Sequence, residues 1–280
     1  MKRILLLFVL VAVAGVAGIV RSHSGESQRF RNASDGSTIA DTREEIRKNV
    51  DLSPGARVEV FGINGAVKIE TSASQTAEIY IERTGASREV LDRRKVIVES
   101  TSDSLRIHVE KGDVGLFARL FGSKPSERVN LKLPRQISLA MKGVNGSVIV
   151  GVVDGPVEVN GVNGKVEVGQ AVGSAEFKGI NGNIAVSLNG LSKDGVRIAG
   201  VNGNIELRLS DGLNANLEAH GMNGRVVSDL SDVVVEEPHR GTYFARVGGG
   251  GNAIVAKGIN GNIRLTRAMT AMNSDKPGGQ

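Results

Sequence analysis

Residues 157–168 read VEVNGVNGKVEV, and 254–265 read IVAKGINGNIRL, on one shared template. Two apolar residues alternate with outward ones, a Gly-(Ile/Val/Met)-Asn-Gly tetrapeptide follows, and the alternation resumes. Period-two alternation marks a strand with one buried face. Gly and Asn accept the positive backbone angles of a tight turn. The unit is therefore strand, turn, strand.

The tetrapeptide occurs seven times, as Gly62/Asn64/Gly65, Gly143/Asn145/Gly146, Gly161/Asn163/Gly164, Gly179/Asn181/Gly182, Gly200/Asn202/Gly203, Gly221/Asn223/Gly224 and Gly258/Asn260/Gly261. These Gly and Asn residues are the expected structural turn residues. Successive copies start 81, 18, 18, 21, 21 and 37 residues apart, and the last interval reads as two units, one of them degenerate or replaced. A weaker turn falls midway, at Asp154-Gly155 and Val172-Gly173.

Two all-β architectures satisfy this pattern. In a β-solenoid each 18- to 21-residue unit is one rung, and Asn145, Asn163 and Asn181 stack into an amide ladder. In an antiparallel meander or sandwich each Asn-Gly is a hairpin turn. Constant unit length favours the solenoid. Thin Val/Ile layers also suit a chain that is 40% hydrophobic yet only 3% aromatic.

Outward from the repeats, residues 51–142 form an N-terminal β region. AEIYIER (77–83), KVIVES (95–100), SLRIHVE (104–110) and RVNLKL (128–133) read as strands without the tetrapeptide, expected to cover one end of the stack. Residues 112–126 interrupt them with Leu116, Phe117, Leu120 and Phe121. Residues 143–268 are the repeat region and 269–280 a disordered tail. Residues 22–50 read as a polar tether, with 41–49 either continuing it or forming a short helix. Residues 1–21 combine Lys2-Arg3 with an apolar run from Ile4 to Val20. This is a signal peptide or a membrane anchor, and both place the rest outside the cytoplasm, in the periplasm or at the cell surface.

With these stretches in view, the chain resembles the bacterial "putative adhesin" family of unknown function, including the head-GIN group. LSPGARVEVFGINGAVKIE (52–70), RVNLKLPRQISLAMKGVNGSVIV (128–150) and RVGGGGNAIVAKGINGNIRL (246–265) carry the resemblance, which covers roughly residues 45–267. It implies a β-helical, extracytoplasmic protein and supplies no catalytic residues. Relatives are also associated with envelope-stress signalling.

The search for chemistry returns little. Outside Lys2 and Arg3, 33 basic residues face 30 acidic ones, mostly interleaved along strands, which gives no nucleic-acid footprint. The chain has no Cys, and His23, His108, His220 and His239 are not at metal-ligand spacing. Asp154, Asp194 and Asp211 offer one carboxylate per secondary turn, too few for calcium. Gly248–Gly251 lacks the Lys-Ser/Thr and helix of a phosphate loop and reads as a wide turn. Glu158, Glu167, Glu176 and Glu206 could form carboxylate pairs of a carbohydrate-active enzyme, but interleave with Lys142, Lys165 and Lys178 as solubilising charges do. The expectation is a non-enzymatic binding or structural role at the cell envelope, with no metal, cofactor or nucleic acid. The partners would be an envelope glycan or protein, and the membrane through the N-terminal segment. The alternative from another class is a regulatory partner of a membrane signalling protein.

Overall fold

The computed structural model describes residues 42–112, 124–236, 239 and 241–268. The stretches read from the sequence as an export segment, a tether before residue 42, an apolar cluster at 116–121 and a tail lie outside the described residues. Among those described, no helix is long and apolar enough to cross a membrane.

In chain order come β1 (Thr42–Asp51), β2 (Ala56–Phe61), β3 (Val67–Ser72), β4 (Thr76–Gly85) and helix α1 (Arg88–Asp92). Next are β5 (Arg94–Thr101), β6 (Ser104–Lys111) and β7 (Ser126–Pro134). The regular units supply β8 (Ile137–Val144), β9 (Val148–Val153), β10 (Val157–Val162), β11 (Val166–Ala171), β12 (Ala175–Asn181), β13 (Ile184–Leu188), β14 (Val196–Asn202) and β15 (Ile205–Leu209). The remainder are β16 (Ala215–His220), β17 (Val226–Ser228), β18 (Val233–Val235), β19 (Thr242–Val247), β20 (Asn252–Asn260) and β21 (Ile263–Arg267).

These strands make two large mixed sheets, neither closed into a barrel. The ten-stranded sheet has the order β1-β4-β7-β3-β9-β11-β13-β15-β21-β17, and the eleven-stranded sheet β18-β19-β16-β20-β14-β12-β10-β8-β2-β6-β5. The two strands flanking each tetrapeptide go to different sheets, so the motif is a corner between sheets. Equivalent strands pair in parallel: Val157 lies opposite Leu139 on one side and Ala175 on the other, an offset of 18 residues both ways. Antiparallel pairing, which a meander would use throughout, is confined to the ends, in β1/β4/β7, β5/β6 and β16/β19/β18.

Inward residues of both sheets merge in one core. Val157, Val159, Val162, Val166, Val168 and Ala171 supply one unit's share, all buried. The variable residue of the tetrapeptide joins them: Ile63, Val144, Val162, Ile180, Val201 and Ile259 are buried, while Met222 is half-buried.

The two glycines of the motif answer different demands. The first holds a left-handed conformation in all seven copies, with φ between 59° and 70°. The second lies against the neighbouring corner's backbone. A Cβ on Gly146, Gly164, Gly182, Gly203, Gly224 or Gly261 would drive into the carbonyl oxygen of the equivalent glycine one unit away.

Gly65 keeps the turn geometry of the set, with φ 154° against 156–158° at Gly164, Gly182, Gly203 and Gly261, but meets a different neighbour. Its own carbonyl oxygen receives the Gly146 corner, but on its other side no tetrapeptide follows. A Cβ on Gly65 would instead overlap the carbonyl oxygen of Glu127, in β7. The glycine is demanded there by a strand without the motif, because β7, paired with β3, closes that end of the row.

Two intervals place units out of chain order. The Gly258 unit (β20/β21) pairs with β14/β15 on one side and β16/β17 on the other, so it sits between the Gly200 and Gly221 units. The 37-residue interval thus holds no degenerate copy, and other strands replace it. It contains β18 and β19, which extend the sheet beyond β16 before the chain returns. Gly248–Gly251 is the turn that carries the chain across the start of β16. Gly249 N–H donates to Asn214 Oδ1 at 2.7 Å, and a Cβ on Gly251 would stand 2.7 Å from the Asn214 carbonyl oxygen. Likewise the 81-residue interval sends out β4 to β7 and returns to place β8/β9 against β2/β3. The expected boundary at 142/143 therefore falls inside β8, within one continuous core.

Residues 42–51 correct another expectation. They are neither tether nor helix but β1, paired with β4 from Thr42↔Gly85 to Asp51↔Thr76. An edge strand needs only a half-buried stripe, here Ile46 and Val50. Charges at Arg43, Glu45, Arg47 and Lys48 keep its open edge from pairing with other chains.

A buried ion pair ends the row of corners. Inside the stack, each motif Asn N–H donates to the neighbouring corner, as in Asn145 to Ile63 O and Asn163 to Val144 O, both at 2.8 Å. Asn64 has no tetrapeptide beyond it, and Glu127 Oε2 accepts its N–H at 2.6 Å. Glu127 is 1% exposed and is held by Arg94 Nε at 2.9 Å.

Two mutational tests follow from these contacts. Gly182→Ala should cost about 1–3 kcal/mol through overpacking, whereas Gly190→Ala, with nothing within 4 Å of its Cβ, should stay within about 0.5 kcal/mol. Equal denaturation midpoints for the two would contradict the corner-stacking account. Glu127→Ala should cost about 3–5 kcal/mol, as for one partner lost from a buried pair. A loss under about 1 kcal/mol in urea unfolding would show that Glu127 does not cap the row.

Candidate binding surface

The expected turn residues meet in one column along the corner, with Gly65 at its β7 end. Five side-chain amide hydrogen bonds link the motif asparagines, Asn145 Nδ2 to Asn64 Oδ1 at 2.8 Å, Asn181 to Asn163 at 2.7 Å, Asn202 to Asn181 at 3.1 Å, Asn260 to Asn202 at 2.9 Å, and Asn223 to Asn260 at 3.1 Å, with the ladder interrupted between Asn145 and Asn163. The column follows spatial order, with Asn260 between Asn202 and Asn223.

A second column runs beside it. The residue after the tetrapeptide is Asn at 183, 204 and 262, a recurrence visible in the sequence but absent from the expected site. Asn183 Oδ1 accepts the Asn204 N–H at 2.9 Å, Asn204 Oδ1 the Asn262 N–H at 3.0 Å, and Asn262 Oδ1 the Arg225 N–H at 3.0 Å. A backbone N–H can only donate, so the oxygen of each side chain must face it. Each Nδ2 group is then left without a partner among the described residues, on an exposed residue. Lys165 precedes this row and Arg225 ends it.

Further along the strands, Glu167, Ala185, Glu206, Arg264 and Val227 lie side by side in register on the outer face of the ten-stranded sheet. Arg208 reaches over the small Ala185 to Glu167 at 3.3 Å and pairs with Glu206 at 3.2 Å. That bridge covers Ala185, which is only 5% exposed. The result is a hollow of about 620 Å³ between the amide row and the charged row. Four basic side chains line it (Lys165, Arg208, Arg225, Arg264) against one carboxylate, Glu206.

The hydrogen bond from Lys165, supported by Arg208, holds the Glu167 carboxyl below the ordinary carboxylate range against partial burial. Glu206 is lowered chiefly by the hydrogen bond from Arg208, which is itself raised by the same contact. Both carboxylates are ionised at neutral pH, so neither supplies the protonated acid that glycosidic cleavage needs.

Of the other candidates, Glu158 and Glu176 stand side by side on adjacent strands of the eleven-stranded sheet, away from Glu167 and Glu206, and are each tied to a lysine, Lys142 at 3.1 Å and Lys178 at 2.5 Å. His220 bonds Glu218 at 2.7 Å and contacts Thr242 Oγ1 at 3.1 Å. His108 lies 4.0 Å from Glu110, and His23 is outside the described residues. Asp154 meets Arg135 and Asp211 meets Arg267. Among the described residues, no three metal-ligating side chains gather.

No family model and no curated protein matches the chain. Solved structures similar to it include a "putative cell adhesion protein" from Clostridium sporogenes (13% identity, covering 81% of this chain and 100% of that one, TM-score 0.38). Others are a "putative adhesin" from Bacteroides fragilis (13%, 79% and 97%, TM-score 0.34) and a "putative lipid binding protein" from Parabacteroides distasonis (14%, 80% and 94%, TM-score 0.32).

The depressed carboxyls set a pH dependence. Their contribution to stability is fully present above about pH 4.5, the unfolded value, and is lost as pH falls through the lower folded values. Urea midpoints should therefore decline on the acid side of pH 4.5. Arg208→Gln should flatten part of that decline. A variant profile parallel to the parent's would remove Arg208 as its source.

Proposed function

We propose that the chain is an exported, non-catalytic protein, a two-sheeted β-solenoid that uses the outer face of its ten-stranded sheet for binding at the cell envelope. The role is adhesin-like or structural. The observation that carries this reading is the hollow beside the second asparagine column. Its polar groups repeat from unit to unit, which suits a repetitive partner such as an envelope glycan or protein. Its carboxylates are ionised and tied to Lys and Arg, which supports contact rather than acid–base chemistry. The apolar run Ile4–Val20 supports export and, if retained, tethering to the membrane.

The test is cosedimentation of the purified full chain with cell envelopes from the producing organism, compared with a Lys165→Glu/Arg264→Glu double variant. Sedimentation of the parent and at least about a tenfold weaker association of the variant are expected, since two charge-assisted contacts are reversed. Equal sedimentation of both would place the contact elsewhere and defeat the proposal.

A further inference from the structure

Resting on that binding-face reading, we propose that the hollow takes a carboxylate-bearing polysaccharide laid along the stack, across the strands. The row Lys165, Asn183, Asn204, Asn262 and Arg225 occupies five successive units in space, although the last two are reversed in the chain. At ~4.8 Å per unit it extends for about 19 Å. With each Oδ1 turned along the row to a backbone N–H, the amides present NH2 groups outward. The ends present an ammonium and a guanidinium. Every side chain of this row thus offers hydrogen-bond donors, and the one carboxylate of the hollow, Glu206, is tied to Arg208. Carboxylate, ring and hydroxyl oxygens can accept from all of them, and a carboxylate carries no donor of its own to leave unpaired.

The spacing and lining narrow the polymer class. An extended polypeptide presents side chains on one face every second residue, about 6.6 Å apart, out of step with the row. A pyranose residue advances a chain by close to one unit. Single-stranded nucleic acid is held by stacking its bases on aromatic side chains, and none lines the hollow. The resident pairs Lys165–Glu167 and Arg264–Asp229 have side chains more than half exposed on the basic partner. Such surface pairs are weak and yield to a polyanion.

The experiment measures the full chain binding polygalacturonate, its fully methyl-esterified form, neutral dextran and polyglutamate by calorimetry. Arg225→Gln and Lys165→Gln are the variants, and their circular dichroism is matched to the parent. Arg225 is exposed and its side chain has no partner among the described residues, so its replacement leaves the backbone N–H to Asn262 in place. Expected are tightest binding to polygalacturonate, weakening with salt, and about a five- to tenfold loss in each variant. Equal affinity for the ester or dextran overturns the carboxylate requirement while leaving the face a glycan site. Equal affinity for polyglutamate overturns the polysaccharide class. Polygalacturonate binding unchanged in both variants overturns the site. No binding to any probe, with envelope cosedimentation intact, overturns this inference alone.

Discussion

The structure depends on backbone lying directly on backbone at the corner between the two sheets. Repeat units paired in parallel at strand spacing bring equivalent corner atoms to the same spacing, wherever the chain turns. Any side chain on the inner edge of that turn would occupy the next unit's carbonyl oxygen. The second glycine of the tetrapeptide answers this steric demand. The first answers a conformational one, by reversing the sign of φ where the strand bends. The Asn between them supplies the hydrogen bonds that a corner must otherwise find in water. The buried residue anchors the turn to the core. Each letter of the motif has a separate physical reason, which is why it recurs so closely.

The same constraint explains the ends. A column of unit-to-unit hydrogen bonds has a last donor wherever it stops, and a buried N–H without an acceptor is costly. At Asn64 the chain places a carboxylate there and offsets the desolvation of Glu127 with Arg94. The backbone of that same Glu127 lies where a Cβ on Gly65 would fall, so the cap meets the last corner as closely as another unit would. At the other end Tyr243 Oη donates to the Gly224 carbonyl at 2.9 Å, closing the outermost corner. The edge strands are managed differently, by length and charge. β17 and β18 are three residues each, while the ten-residue β1 is studded with Arg, Glu and Lys.

Local signals were legible in the sequence, and spatial order was not. Alternation and the tetrapeptide marked the strand pairs and the turns between them, because each is decided within a dozen residues. The strands at 77–83, 95–100, 104–110 and 128–133 were legible for the same reason. What period cannot convey is which unit lies beside which, and so the 37-residue interval leaves open in the sequence whether a copy is degenerate or replaced. Gly65 looked like every other motif glycine for that reason too, although its neighbour is β7. β1 is hidden in the sequence because an edge strand can be mostly charged, its pairing resting on β4 some thirty residues away. The second amide column was written in the recurrent Asn at 183, 204 and 262, yet its meaning needed the register. An Asn that accepts a neighbour's N–H and an Asn that merely faces solvent look alike in one dimension.

Out-of-order placement also determines the candidate surface. The hollow draws its amides and charges from 165–208, 225–227 and 262–266. The last group separates the first two in space, although it follows both in the chain. Without β20 and β21, β14 and β16 would lack their common neighbour, and the donor row would break between Asn204 and Arg225. The final repeat is therefore both a structural wedge and the centre of the face. Completion of the fold and completion of the surface are one event, because the unit that satisfies the backbone of its neighbours also carries the side chains that join their two halves.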